Sequence, residues 1–177
     1  MIVKCFEGTV LLFIALISDI KSYKIRNKVT LTFVTVGMLT NFCISGYKGL
    51  LDALLGTVIP IILLIVLYAL RMLGAGDIKL FSALGAIFGV EYIFAIMGYS
   101  FIAGGIIASG FIIAKRNSKD RARHLFNYFK LVFLTQSFKP YTEFEDKDDN
   151  GKFRFAYAVF MGTFSFVVNK LLIWSLH

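Results

Sequence analysis

Long apolar runs separated by short polar breaks organise this chain. They fall at about residues 2–18, 29–45, 50–70, 78–90, 92–114 and 155–176. All but the fourth reach the roughly 17–25 residues that a helix needs to cross a bilayer. The pattern predicts an all-α, polytopic membrane protein with about six transmembrane helices. For the short fourth run, two readings stand. Its helix starts nearer Gly74, or the glycine loop before it dips below the membrane surface, where irregular backbone is tolerated if protein or a wet cavity covers it. Pro60 predicts a kink in the third helix. Lys4 and Glu7, three residues apart in the first helix, are spaced to pair.

Composition agrees with the pattern. Of the 177 residues, 58% are hydrophobic, where a soluble domain has about 45–50%. The length suits one membrane-embedded domain over residues 1–177. Cys5 and Cys43 both lie in apolar runs and read as packed core thiols, not as a disulfide or metal pair. The first run has no small-x-small cleavage site and reads as a retained span.

The net charge of +8 is concentrated in the gaps between runs, which fits membrane topology better than nucleic-acid binding. The loops after the first, third and fifth runs share one face if every run crosses. They hold four, two and ten basic residues, so 16 of the 19 Lys and Arg lie on that side. Lys4, Lys48 and Lys170 remain for the other. The positive-inside rule makes the rich face cytosolic and leaves both termini outside.

The 115–154 segment is the one sizeable extramembrane piece, expected in the cytosol. It opens on a basic stretch, Lys115 to Arg121, and closes on an acidic cluster, Glu143 to Asp149. Between them, Leu125 to Leu134 reads as a helix lying in the interface. The segment serves as a solvated connector or as a docking surface for substrate or partner.

Two carboxylates stand out. Asp19 closes the first run, and Asp77 follows Gly74-Ala75-Gly76 at the start of the fourth. An ionisable group at membrane depth costs about 2.5–3.5 kcal/mol or more and calls for a functional reason. Two runs separate Asp19 from Asp77, so both lie on the same side, and packing of helices one and four would let them face each other. Paired carboxylates share a proton because both cannot easily ionise. The ionised one can take a proton from water while the other donates to a carbonyl oxygen. Peptide hydrolysis by this route needs no metal and no cofactor. Gly74 and Gly76 permit positive φ or close approach of another chain. Asp77 could begin its helix, with its carboxylate near unpaired amides. The alternatives are a helix cap for Asp77 and an interfacial anchor for Asp19. Lys79 either orients Asp77 or carries its ammonium to the interface.

The residues Gly-Ala-Gly-Asp-Ile-Lys-Leu-Phe-Ser-Ala-Leu-Gly-Ala, 74–86, resemble the signature of type IV prepilin peptidases, bacterial GxGD-type aspartyl proteases. Asp19 and the following Ile20 to Asn27 are similar to the family's other half, and Phe153 to Ala158 to the opening of its last helix. The resemblance runs from the first span to the sixth. It implies that Asp19 and Asp77 are the catalytic pair, that Gly74 and Gly76 shape the site, and that a short basic leader is cut from prepilin or pseudopilin substrates. Cleavage would occur at the cytosolic face of the inner (cytoplasmic) membrane. Arg26 stands where the family has proline, and Phe153–Ala158 lacks the proline common there. The chain has no N-terminal cysteine-quartet domain, so peptidase activity without methyltransferase activity is expected.

Other chemistries are poorly supplied. His124 and His177 are the two histidines, and no His-Glu-x-x-His motif occurs. Gly105, Ser109 and Gly110 have the spacing of a helix-packing stripe. A small transporter using the two aspartates would commonly show an inverted repeat, which is not found. An inactive scaffold would have no use for both aspartates.

Overall fold

The computed structural model describes residues 2–22, 27–70, 72–114 and 155–175. Five helices account for nearly all of them: α1 (Ile2–Ser22), α2 (Asn27–Ala69), α3 (Ala75–Phe88), α4 (Val90–Ala114) and α5 (Phe155–Ser175). No strand occurs among the described residues. The proposed interface helix, both histidines and the basic and acidic stretches of 115–154 lie outside them.

α2 is two helices merged across a break at Gly46, where φ is 60° and ψ −143°. That left-handed φ suits glycine because no Cβ obstructs it. The second and third apolar runs are therefore joined by a one-residue break, not a loop. The chain turns back there, bringing the backbone of Gly49 against that of Asn41. Pro60, where a kink was expected, lies inside the second limb with helical φ and ψ.

Both limbs of α2 pack along α3. The first limb runs with it, Asn27 meeting Lys79 at one end and Asn41 meeting Ala86 and Ile87 at the other. The second limb runs against it, with Gly56 and Gly85 in backbone-to-backbone contact. Small residues matter here because lipid tails are as apolar as leucine. Helix association in a membrane rests on close packing and hydrogen bonds instead of water exclusion.

Asn41 supplies such hydrogen bonds. It is 2% exposed, and its Nδ2 shares its two hydrogens among Gly37 O at 2.9 Å, Ala86 O at 2.9 Å and Ile87 O at 3.0 Å. A helix leaves its last carbonyls without partners, and α3 ends at Phe88. Asn41 thus closes the end of α3 from a different helix.

α1 runs antiparallel to α3: Gly8 meets the ring of Phe88, while Asp19 lies near Asp77 at the opposite end. The expected Lys4–Glu7 ion pair does not form among the described residues. Glu7 Oε1 accepts a 2.6 Å hydrogen bond from Thr40 instead, tying α1 to the first limb of α2. α4 and α5 form an antiparallel pair, with Gly162 against Ser100 and Gly104 against Phe155. The Gly105–Ser109–Gly110 stripe does not serve this contact. A Cβ at Gly105 or Gly110 would meet nothing within 4 Å among the described residues, and Ser109 bonds back to its own helix.

Phe81, Leu84, Phe88 and Leu11 are fully buried at the centre, whereas Leu31, Ile62, Ile102 and Ile106 are each more than 60% exposed. So much apolar surface facing outward suits a hydrocarbon solvent. Cys5 is buried as expected, but Cys43 is exposed. Asn27–Ala69 and Val90–Gly110 are long and apolar enough to cross a membrane. α1 carries Lys4, Glu7 and Asp19 along its length, and α3 has only 14 residues.

Candidate active site

The end of the bundle that holds Asp77 is built by the start of α3. Gly74 is extended, at φ −79° and ψ 148°, and precedes the first helical residue, Ala75. The helix therefore starts beside Gly74, the first of the two readings of the short fourth run. Asp77 falls in its first turn, ahead of the apolar run that begins at Ile78. Its Oδ2 accepts a 3.2 Å hydrogen bond from the Gly74 amide, and its own amide donates to Gly74 O at 3.1 Å. The carboxylate satisfies an amide that the helix start would leave unpaired and sits at the positive end of the helix dipole.

The glycines do not act through positive φ. Gly74 is in ordinary extended backbone and Gly76 lies within α3; among the described residues the positive-φ glycines are Gly46 and Gly89. What Gly74 supplies is room, since a Cβ there would stand 3.1 Å from Asp77 Oδ2.

Asp19 arrives from α1. The helix continues one turn beyond it, to Ser22, so Asp19 lies inside the helix and not at its end. The antiparallel course of α1 brings it close enough to Asp77 for its charge to act there. Burial pushes the Asp77 carboxyl up from its ordinary 3.8 to about 6; the Gly74 amide opposes that rise and the charge of Asp19 adds to it. A carboxyl raised toward its protonated form, beside a second carboxylate, can share one proton between two acids.

Lys79 Nζ donates to Asn27 Oδ1 at 2.9 Å, joining α3 to the start of α2. Of the expected site residues, Asp19, Asp77, Gly74 and Gly76 come together and Lys79 turns to a different neighbour. Among the described residues, no group of three or more His, Cys, Asp or Glu is arranged to hold a metal ion. Asn41 and its grip on α3 escaped the sequence reading. The available signal was an asparagine in the middle of an apolar run.

A family model for the type IV leader peptidase family matches residues 7–109, which include both aspartates and α2, α3 and most of α4. The chain belongs to the type IV leader peptidase family. Its activity is therefore that of a leader peptidase acting on prepilin-like substrates, in a protein of the membrane. Among curated proteins and among solved structures, nothing matches.

Proposed function

We propose that this member of the type IV leader peptidase family is an aspartic endopeptidase in which Asp19 and Asp77 are the catalytic pair. The observation that carries the reading is the convergence of the two carboxylates from antiparallel helices, one of them shifted toward its protonated form. The ionised carboxylate takes a proton from water as the water oxygen attacks the scissile carbonyl carbon. The protonated carboxylate donates to the carbonyl oxygen, giving a tetrahedral diol. The C–N bond then breaks as a proton passes to the amine nitrogen, releasing a carboxylic acid and an amine. The pair titrates as a unit, so neither aspartate is assigned the base. No metal or cofactor takes part. Gly74 and Gly76 shape the site, Gly74 by leaving space beside Asp77, and Lys79 steadies the base of α3 through Asn27.

The substrate is a prepilin or pseudopilin whose short basic leader is cut at the cytosolic face. The break at Gly46 supports six crossings, α2 supplying two, within a single domain over 1–177. Lys28 and Lys79 lie at the aspartate end, in line with a cytosolic site, both termini outside and residues 115–154 in the cytosol.

The test is cleavage of a prepilin-like substrate co-expressed with the wild type, Asp19→Asn or Asp77→Asn. A size shift with wild type alone is expected. Substantial processing by either variant, at equal insertion, would overturn the two-aspartate reading.

A further inference from the structure

One groove in the bundle lies away from the aspartates. A groove of about 490 Å³ lies between the two limbs of α2 and α3. On α3 it is lined by Ala75, Ile78, Lys79 and Ser82, which share one face. At about 100° per residue, Asp77 points to the other side of the helix. The groove is therefore a separate site on the back of the helix that carries Asp77.

Its walls ask for hydrocarbon. Val34, Ile61 and Ile78 line it. Its threonine and serine hydroxyls are already bonded to their own helices: Thr30 to Asn27 O, Thr57 to Ala53 O and Ser82 to Ile78 O. Between Asn27 at one end and the Tyr68 hydroxyl, these walls offer an occupant little polar pairing, so polar groups brought inside would be left unpaired.

One end is different. Lys79 is exposed at the groove's edge, and Asn27 takes one of its three donors. Lys28, also exposed, lies one residue beyond Asn27. The occupant is thus an amphiphile with an apolar tail and an anionic head.

Size decides among amphiphiles. Along the second limb the lining runs from Thr57 to Tyr68, roughly 16 Å at about 1.5 Å per residue. That is about half of a hydrocarbon core roughly 30 Å thick, the depth of one leaflet. A single turn of helix, about 10 Å across and about 5.4 Å high, fills roughly 420 Å³, so the groove would enclose little more than one turn of a peptide helix.

We propose that this groove holds one acyl chain of an anionic phospholipid, its phosphate at Lys79. Basic pockets between membrane helices are suited to such headgroups. Because the chain lies against the back of α3, its occupancy braces the helix that presents Asp77.

Native mass spectrometry of the full-length protein, purified from mixed phosphatidylglycerol and phosphatidylcholine nanodiscs, tests this without reference to cleavage. The wild type should retain one phosphatidylglycerol in preference to phosphatidylcholine. Ile61→Trp, which fills the groove, should lower retention at least about tenfold. Ile62→Trp, whose side chain is outside the lining, should retain lipid as the wild type does and controls for folding. Lys79→Gln should keep a lipid but reduce the headgroup preference several-fold. Equal retention by Ile61→Trp and wild type, or no headgroup preference in the wild type, would overturn the assignment. Normal lipid retention with slowed substrate cleavage in Ile61→Trp would also overturn it, in favour of a peptide occupant.

Discussion

Asp77 and Asp52 make the same local contact at opposite ends of the bundle. Asp77 accepts a hydrogen bond from the Gly74 amide, at the start of its own helix. Asp52 accepts one at 3.0 Å from the Val90 amide, at the start of α4, a helix to which it does not belong. Each lies beside a glycine, Gly74 for Asp77 and Gly89 for Asp52. The difference is the company. Asp77 stands in the field of Asp19, whereas Asp52 serves the helix junction. An aspartate at a helix start is therefore no sign of chemistry by itself; a second carboxylate from another helix separates a site from a cap.

The same substitution at the two positions should split them most widely. Asp77→Asn keeps a side-chain oxygen for the Gly74 amide, since asparagine caps as well as aspartate, yet it removes the acid. Cleavage should fall by about 10²–10⁴-fold or more, the usual worth of a general acid or base. Asp19→Asn should match it, read as turnover of purified enzyme in proteoliposomes. An active Asp77→Asn would reduce Asp77 to a second Asp52.

The next effect in size is on pH. With Asp77 holding its proton to about 6, the singly protonated pair is depleted as pH rises past that value. The rate should drop roughly tenfold per unit above it. A kcat/KM profile still rising at pH 8 would contradict proton sharing. Asp52→Asn leaves the pair intact, so its profile should keep the same limb and overlay the wild type.

Asn41→Leu probes the contact that sets α3 in register. It leaves the Ala86 and Ile87 carbonyls without their donor in an apolar setting, at about 1–3 kcal/mol for an unsatisfied buried group. A fall of several degrees in apparent Tm is expected, with slower cleavage as α3 shifts. An unchanged Tm would mean that the α3 end is held by other contacts.

Asp52→Ala should have the smallest effect. Loss of a cap costs about 0.5–2 kcal/mol, with cleavage within about twofold of the wild type. Loss of activity beyond that, in stably inserted protein, would erase the contrast between the two ends.

Much of this arrangement was legible in the chain. The apolar runs became helical limbs, and Gly74 marked the start of α3 because a backbone amide there needs a partner that Asp77 can provide. Parity placed Asp19 and Asp77 on one side by counting crossings alone. Other features were not legible. Pro60 drew attention in the second limb, but the break in α2 falls at Gly46, where a left-handed φ lets the chain turn back. The Gly105 stripe suggested a contact, but which face of α4 meets α5 depends on Phe155 and Ala158, which seat against Gly104 instead. Lys4 suggested an ion pair with Glu7, but Thr40 from a distant segment takes the carboxylate.

The sequence by itself determined the number and limits of the apolar runs, the skew of basic charge and the family motif around Asp77, because these depend on composition and spacing along one strand of chain. Only the tertiary structure decided that α1 brings Asp19 to Asp77, that Lys79 turns to Asn27, that Asn41 closes α3 and that a groove opens behind it. Each of those depends on how helices distant in sequence rotate and slide against one another. Apolar faces in lipid leave that rotation undirected, and it is close glycine contacts and a few buried hydrogen bonds that select it.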